Sequence, residues 1–200
     1  MEEKAFPKEE LVLPSRFQRV IQRALVVLKL LLGIMLFPFV YGSTFMFMRE
    51  LFLLDTNVKI SFFSGIAFFL IVYLFIWEPV IIYKKGQRFL QIIFGFFSPL
   101  LKIAPYLLPI YTIVLFLLYF LALLIFKPAQ IIDIFMFLLG LSISLHLVFS
   151  AKILKSKLGD YLKANYIFGF SFIYLINVII LSFGFNLMLK DFSFVNFFNQ

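Results

Sequence analysis

Hydrophobic residues dominate five long stretches of this chain, and none of the five contains a charged side chain. The stretches are residues 30–48, 60–77, 103–126, 134–151 and 164–189. An apolar helix of about 20 residues is long enough to cross the hydrocarbon layer of a bilayer. Within that layer only helices and closed barrels satisfy their own backbone groups, and these stretches lack the alternation of barrel strands. The pattern therefore predicts an all-α, polytopic helical membrane protein with five transmembrane helices.

A sixth uncharged stretch, residues 89–101, has only 13 residues and contains Pro99 near its end. This length suits a re-entrant or interfacial segment better than a crossing. We therefore predict one short re-entrant or interfacial helix besides the five spans. The predicted organisation is a cytoplasmic N-terminal segment (1–29), a transmembrane domain (30–189) and a short C-terminal tail (190–200).

The net charge of +8 comes from Lys and Arg residues that flank the apolar stretches. If the N-terminus is cytoplasmic and five stretches cross, 14 of the 18 Lys and Arg residues lie inside, as the positive-inside rule requires. We expect a multi-pass protein of the plasma (inner) membrane, with its N-terminus cytoplasmic and its C-terminus outside. Because the charge serves topology, the expected partners are membrane lipids and other membrane protein subunits, not nucleic acid.

Basic side chains are also placed to meet lipid headgroups. From residue 15 the sequence predicts an amphipathic helix with Arg16, Arg19 and Arg23 on one face, and such a helix lies in the headgroup region. Lys84 and Lys85 are predicted to contact headgroup phosphates in the same way. Generic anchoring and capture of a specific anionic lipid both remain open for these residues.

Prolines predict irregular backbone between residues 80 and 112. Pro105 and Pro109 lie four residues apart at the start of the third long stretch, and each removes a backbone donor. Broken backbone at membrane depth persists only where protein or water covers it. We therefore expect any site in this region.

Charged side chains next to the spans are interpreted as solvated. Arg49 and Glu50 are expected in a short outer loop. Glu78, at the edge of the second stretch, is expected to be a solvated carboxylate beside Lys84 or Lys85. No span carries a central Asp, Glu, Lys or Arg, so the candidates for intramembrane chemistry are few.

The chain has no cysteine and one histidine, His146, so it cannot form a disulfide or a three-histidine zinc site. We predict that His146 packs or hydrogen-bonds between helices. Asn177, near mid-membrane, is predicted to hydrogen-bond a neighbouring helix, with an ion or substrate contact as the alternative. Gly140, Ser142 and Ser144 are small residues that favour close helix contact. No catalytic residue, metal or cofactor is expected.

One short segment carries a resemblance to a known family. Gly86-Gln87-Arg88-Phe89-Leu90-Gln91 follows an apolar stretch and is itself followed by a proline- and tyrosine-containing segment, residues 104–112. The arrangement resembles compact membrane metalloproteases of the site-two-protease type, in which this position holds Gly-His-Glu-x-x-His. The two histidines would fall at Gln87 and Gln91 and the glutamate at Arg88.

The resemblance implies a relative that kept the scaffold and lost the metal. In the family motif the histidines bind zinc and the glutamate activates water, whereas Gln is a poor zinc ligand and Arg88 is a cation. The implied remnant pocket would be formed by Gln87, Arg88, Gln91, Pro105, Tyr106 and His146.

Three functions are compatible with the sequence. The first is a non-catalytic binding, scaffold or accessory subunit, a metal-free pseudo-protease that holds a partner helix or lipid between Val80 and Thr112. The second is a transport or channel component whose path is lined by Asn177, His146 and the proline-broken helix. The third is a membrane hydrolase acting at the cytoplasmic face.

Overall fold

The computed structural model describes residues 16–93, 104–157 and 164–194, and every regular element within these ranges is a helix. The helices are α1 (Arg16–Leu53), α2 (Thr56–Ile71), α3 (Val80–Ile93), α4 (Ala104–Leu107), α5 (Ile110–Ala122), α6 (Pro128–Lys157) and α7 (Ala164–Met188), and a π-helical segment (Val72–Ile76) extends α2. Within these ranges four helices are long and apolar enough to cross a membrane: Arg23–Leu53, Thr56–Ile76, Pro128–Lys155 and Tyr166–Met188. The predicted all-α class is therefore confirmed within these ranges, and the four helices are compatible with the predicted membrane protein.

α1 joins the basic N-terminal segment to the first crossing without interruption. It has 38 residues, which is about 57 Å at 1.5 Å per residue and exceeds the hydrocarbon thickness of a bilayer. The domain boundary expected after Lys29 lies inside this helix. Residues 1–15 of the predicted N-terminal segment and residues 195–200 of the predicted tail lie outside the described residues.

α1 also continues beyond the predicted end of the first crossing. Arg49 and Glu50 lie in its last two turns, so the prediction that they form an outer loop is wrong. Glu50 is only 2% exposed and Leu51 is fully buried. Because these positions pack against the core, the chain stays helical to Leu53 despite the two charges.

α1 and α7 pack side by side and run in the same direction. The hydroxyls of Thr44 and Tyr174 are 2.9 Å apart, and further along both helices the rings of Phe47 and Phe185 have centroids 5.7 Å apart. The ends of α1 and α7 therefore lie at the same end of the bundle.

α2 and α6 form the closest helix pair. A Cβ atom added at Gly65 would lie 2.0 Å from the carbonyl oxygen of Phe137, and one added at Gly140 would lie 2.1 Å from that of Phe62. Each helix thus presents a glycine to the other's backbone, as in the small-residue contacts of membrane helices. The close contact predicted at Gly140 is confirmed, and Gly65 is the partner glycine.

α2 and α6 also run in the same direction, so the chain must return between them. Gly65 faces Phe137, and Glu78, just beyond the π-helical segment, bonds Lys152. α5 makes the return, because its contacts with α6 run in opposite order. The hydroxyls of Thr112 and Ser142 are 2.9 Å apart, whereas Tyr119, later in the chain, packs on Phe135, which is earlier.

Residues 103–126 do not form one uninterrupted helix. α4 ends at Leu107, residues 108–109 are not helical, and α5 has only 13 residues. The interruption falls at Pro109, as the two prolines predicted, because proline cannot donate a backbone hydrogen bond. α5 is therefore too short to count as a fifth spanning helix within the described residues. Of the predicted re-entrant segment, only residues 89–93 are described, and they belong to α3.

Phenylalanine rings fill the core where α1, α2, α5 and α7 meet. Phe185 is fully buried, and its ring contacts those of Phe47, Phe62, Phe116 and Phe192 with centroid separations of 5.4–6.3 Å. Most of these pairs are edge-on or tilted, the arrangements that aromatic quadrupoles favour. These five phenylalanine rings therefore fill this part of the core.

Candidate functional site

The interruption between α4 and α5 leaves backbone carbonyls that a continuous helix would have paired. The carbonyls concerned are those of Tyr106 and Leu107, because the carbonyls of the non-helical Leu108 and Pro109 accept from the backbone N–H groups of Ile110 and Ile113. Buried backbone oxygens without partners are costly in a bilayer, where no water replaces the lost bond. Polar side chains from α6 and α7 meet this segment inside the bundle.

α6 contacts the Tyr106 carbonyl through Ser150, whose hydroxyl donates to it over 3.3 Å. The Tyr83 and Ser150 hydroxyls are 3.0 Å apart. Since a serine hydroxyl carries one hydrogen, Ser150 donates to the carbonyl and accepts from Tyr83. His146, 5% exposed, hydrogen-bonds the Tyr106 backbone, and its Nε2 lies 3.5 Å from Ser150 Oγ. A chain of hydrogen bonds thus joins α3, α4 and α6.

Tyr83 takes part in this chain as a neutral phenol. α3 is not one of the spanning helices, and burial of Tyr83 raises the pKa of its hydroxyl above the usual 10.0. The hydroxyl therefore remains protonated at neutral pH and donates a hydrogen bond to the Ser150 hydroxyl.

α7 contacts the interrupted segment through Asn177, which is fully buried. Its Nδ2 donates to the Leu107 carbonyl over 3.2 Å and to the Ile173 carbonyl over 2.7 Å. The predicted hydrogen bond of Asn177 to a neighbouring helix is therefore confirmed, and the acceptor is a carbonyl beside the interruption. Because Nδ2 has two carbonyl acceptors, the amide orientation is fixed. Within the described residues, Asn177 Oδ1 has no partner.

Substitution of Asn177 by leucine should leave the Leu107 carbonyl without its side-chain donor. The expected cost is about 1–2 kcal/mol of unfolding free energy, the upper range for interhelical hydrogen bonds in membranes. An SDS unfolding titration in mixed micelles would measure it. Ser182→Ala is the matched control, because the buried Ser182 hydroxyl on α7 has no partner in the described part of the chain. Equal costs for both substitutions would contradict the proposed role of Asn177.

A small cavity lies beside this hydrogen-bonded segment. Its lining includes Gln87, Leu108, Tyr111 and His146. The space in which the centre of a water molecule could lie is about 10 Å³. A cavity of that size has room for about one water.

The structure brings together three of the residues predicted to form a remnant pocket. Gln87 and His146 line the small cavity, and the Tyr106 backbone bonds His146. Arg88 and Gln91 are exposed on α3, so they lie apart from these three. The side chain of Pro105, the remaining residue, lies outside the described part of the structure.

This donor set does not fit zinc. Protein zinc sites are built from histidine, cysteine and carboxylate ligands, and the described residues contain no group of three or more such side chains that could hold a metal ion. His146 is joined by serine, tyrosine and glutamine, which are donors or weak ligands. No zinc-dependent step can be derived from this arrangement.

Glu78 lies at the same end of the bundle but pairs with an unexpected residue. Its Oε2 is 2.6 Å from Lys152 Nζ, and both side chains are 48% exposed. The expectation of a solvated carboxylate agrees with this exposure, but the expected partners, Lys84 or Lys85, are wrong. Lys152 is the partner because α6 runs parallel to α2 and ends beside it.

The residues expected at lipid headgroups are only partly described. Arg23, Lys84 and Lys85 are exposed, which leaves their charges accessible. The side chains of Arg16 and Arg19 lie outside the described residues, although both positions belong to α1.

The sequence reasoning missed Glu50, a buried acid at the opposite end of the bundle. Its Oε1 is 3.3 Å from Arg49 Nη2, and its Oε2 accepts a hydrogen bond from the Ser193 backbone N–H over 3.4 Å. Glu50 therefore connects the end of α1 to the segment that follows α7 through a hydrogen bond. The signal available in the sequence was Leu51 and Leu54, apolar residues spaced to continue the buried face of α1.

Comparison with known proteins adds no relative: no family model, no curated protein and no solved structure matches this chain.

Proposed function

We propose that this chain is a non-catalytic membrane subunit that binds a partner helix or lipid around the interrupted segment between Val80 and Thr112. The observation that carries the proposal is that polar side chains inside the bundle hydrogen-bond the backbone of the interrupted segment. Ser150, His146 and Asn177 hydrogen-bond the backbone of residues 106–107. Side chains that hold the fold in this way stabilise a shape. Although Ser150 Oγ lies 3.5 Å from His146 Nε2, its one hydrogen is donated to the Tyr106 carbonyl, so this pair is not arranged as a nucleophile and base.

The proposed topology has five crossings, the third made by the interrupted segment and α5. The support is directional: α2 and α6 point the same way, and α5 runs back between their ends. Half-helices with irregular backbone occur at membrane depth where protein covers them, and here α6 and α7 provide that cover.

The proposed location is the inner membrane, and the proposed orientation places the N-terminus in the cytoplasm. Among the described Lys and Arg residues, Arg49, Lys59, Lys127 and Lys190 lie at one end of the bundle. The others lie in the N-terminal half of α1, on α3 or near the end of α6. Since α1 is antiparallel to α2 and α6, these positions share the opposite end, which would be cytoplasmic by the positive-inside rule.

The partner surface we propose is the outer side of α3. Its buried side is formed by Tyr83, Gly86 and Leu90, whereas Phe89 and Ile92 are 50% and 72% exposed. Apolar side chains beside the exposed Lys84, Lys85 and Arg88 suit a partner at the membrane surface, apolar on one side and anionic on the other. A metal-free descent from site-two-protease-type enzymes is part of this proposal and rests on the sequence of residues 86–91.

Photo-crosslinking tests this proposal. A benzoylphenylalanine residue at position 89 or 92 should trap one protein partner or one lipid class in native membranes. The same residue at Met35, which is 65% exposed on α1, is the control and should trap only bulk lipid. Identical products at all three positions, or zinc-dependent cleavage of a membrane substrate by the purified chain, would contradict the proposal.

A transport role is the second candidate, and one observation favours it. His146 and Asn177 both meet the interrupted helix, and Asn177 Oδ1 is buried without a partner in the described residues. Discontinuous helices near mid-membrane form substrate sites in transporters. Solute flux in proteoliposomes that disappears in Asn177→Leu while the protein remains folded would select this function.

A further inference from the structure

A groove on the lipid-facing side of α2 lies at the bundle end opposite the interrupted segment. It has a volume of about 480 Å³, and its lining includes Phe52, Thr56, Lys59, Phe63 and Ala67. The groove is shallow and open toward the lipid, so this space is not an enclosed cavity. The groove is separate from the site of the proposed function, which involves α3 to α5.

The groove has one polar end and one apolar end. Thr56 and Lys59 lie in the first turn of α2, whereas Phe63 and Ala67 lie deeper along the same helix. From Thr56 to Ala67 the helical rise is about 16 Å, about half of the 30 Å hydrocarbon layer. The groove therefore runs from the headgroup level through about one leaflet.

The shape of the groove follows from residue size. Phe52 at the end of α1 and Phe63 on α2 form a wall, with ring centroids 6.2 Å apart. Ser64 and Ala67 are small and exposed, so they form a floor on which a chain can lie. Ile60 is 60% exposed and extends the apolar lining toward the polar end.

A cation is held over the polar end of the groove. Lys59 Nζ donates to the Phe52 carbonyl over 3.1 Å, and an ammonium group has three donors. In the part of the chain that the structure describes, no carboxylate lies within ion-pair distance of Lys59. Two donors of Lys59 are therefore available to an anion beside the Thr56 hydroxyl.

We propose that this groove binds one glycerophospholipid, with its phosphate at Lys59 and Thr56 and one acyl chain along Phe63, Ser64 and Ala67. The charge, the small-residue floor and the one-leaflet length together select this occupant. A partner's transmembrane helix would have to continue past Ala67 through the second leaflet, where the groove lining ends.

The test uses the full chain in nanodiscs and a phosphatidylglycerol with a diazirine near the end of one acyl chain. Mass spectrometry should locate adducts on α2 around Ala67. Lys59→Gln should lower the adduct yield by about tenfold, the loss expected for a hydrogen bond to a charged group. Ala67→Phe should lower it similarly by filling the floor, and Ser64→Leu gives a second filling variant.

Matched controls separate the site from general lipid contact. Lys127→Gln removes an exposed cation at the same end of the bundle, and Ala24→Phe adds a ring to an exposed position of α1. Both should leave the α2 adduct unchanged. A diacylglycerol probe with the same chains but no phosphate should label α2 about as weakly as Lys59→Gln does. The proposal would be overturned if the α2 adduct yield were the same without the phosphate, in Lys59→Gln and in the filling variants. Displacement of the probe by a co-purified protein helix would also overturn it.

Discussion

Replacement of Gly140 by leucine is expected to prevent folding of the bundle. Even a single Cβ at this position would lie 2.1 Å from the Phe62 carbonyl oxygen, and the obstacle is backbone, which cannot rotate away. α2 and α6 would have to separate along the contact that joins them. Alanine at Gly140 or Gly65 should cost about 3 kcal/mol, the upper range for overpacking, and leucine should leave little folded protein in detergent. Thermal unfolding followed by fluorescence-detected size exclusion would measure both.

Two other glycines provide matched controls for this prediction. A Cβ at Gly42 would meet nothing within 4 Å, and one at Gly169 would meet only the flexible end of Leu154 at 3.5 Å. Alanine at either position should leave the unfolding temperature nearly unchanged. If Gly42→Ala and Gly140→Ala were equally destabilising, the close contact of α2 and α6 could not be the cause, because alanine favours the helix more than glycine does.

Truncation of Phe192 to alanine should destabilise the protein by about 3 kcal/mol, as for large-to-small changes of buried aromatics. Phe192 follows α7 and is 2% exposed, with its ring 5.9 Å from Phe47 and 5.6 Å from Phe185. Its loss would leave a void at the end of the core and weaken the contact of Ser193 with the buried Glu50. Chemical unfolding in mixed micelles would give the difference.

Phe39→Ala is the control for Phe192, because Phe39 is 67% exposed on α1. In a bilayer, shortening a side chain that already faces lipid should change the unfolding free energy little, because lipid fills the space. A Phe39→Ala cost as large as that of Phe192→Ala would show that residue type and not position determines the loss.

Continuous apolar runs made the helices and their membrane character predictable, because a bilayer permits few other structures. The interruption near Pro109 was predictable for a different reason, because proline acts locally by removing a backbone donor. Which helices lie side by side was not predictable. Glu78 pairs with Lys152 because α2 and α6 are neighbours, and no local pattern encodes that contact.

The candidate site shows the same division. Asn177 and His146 were recognisable as rare polar groups within apolar runs, and their role as helix contacts followed from the cost of burying them. Their acceptors, the backbone carbonyls of residues 106–107, became apparent only with the fold. Glu50 was wrongly predicted to lie in a loop, because charged residues next to an apolar stretch usually indicate one. In the structure it is buried and contacts Ser193, which follows α7.

The central claim is that the interior polar groups hold the interrupted helix and do not hold a reactive metal. Elemental analysis of the purified full-length chain, loaded with zinc and then dialysed, tests it most directly when His146→Ala is treated in parallel. The account predicts that wild type and His146→Ala retain the same background of zinc. Stoichiometric zinc in the wild type that is lost in His146→Ala would contradict it.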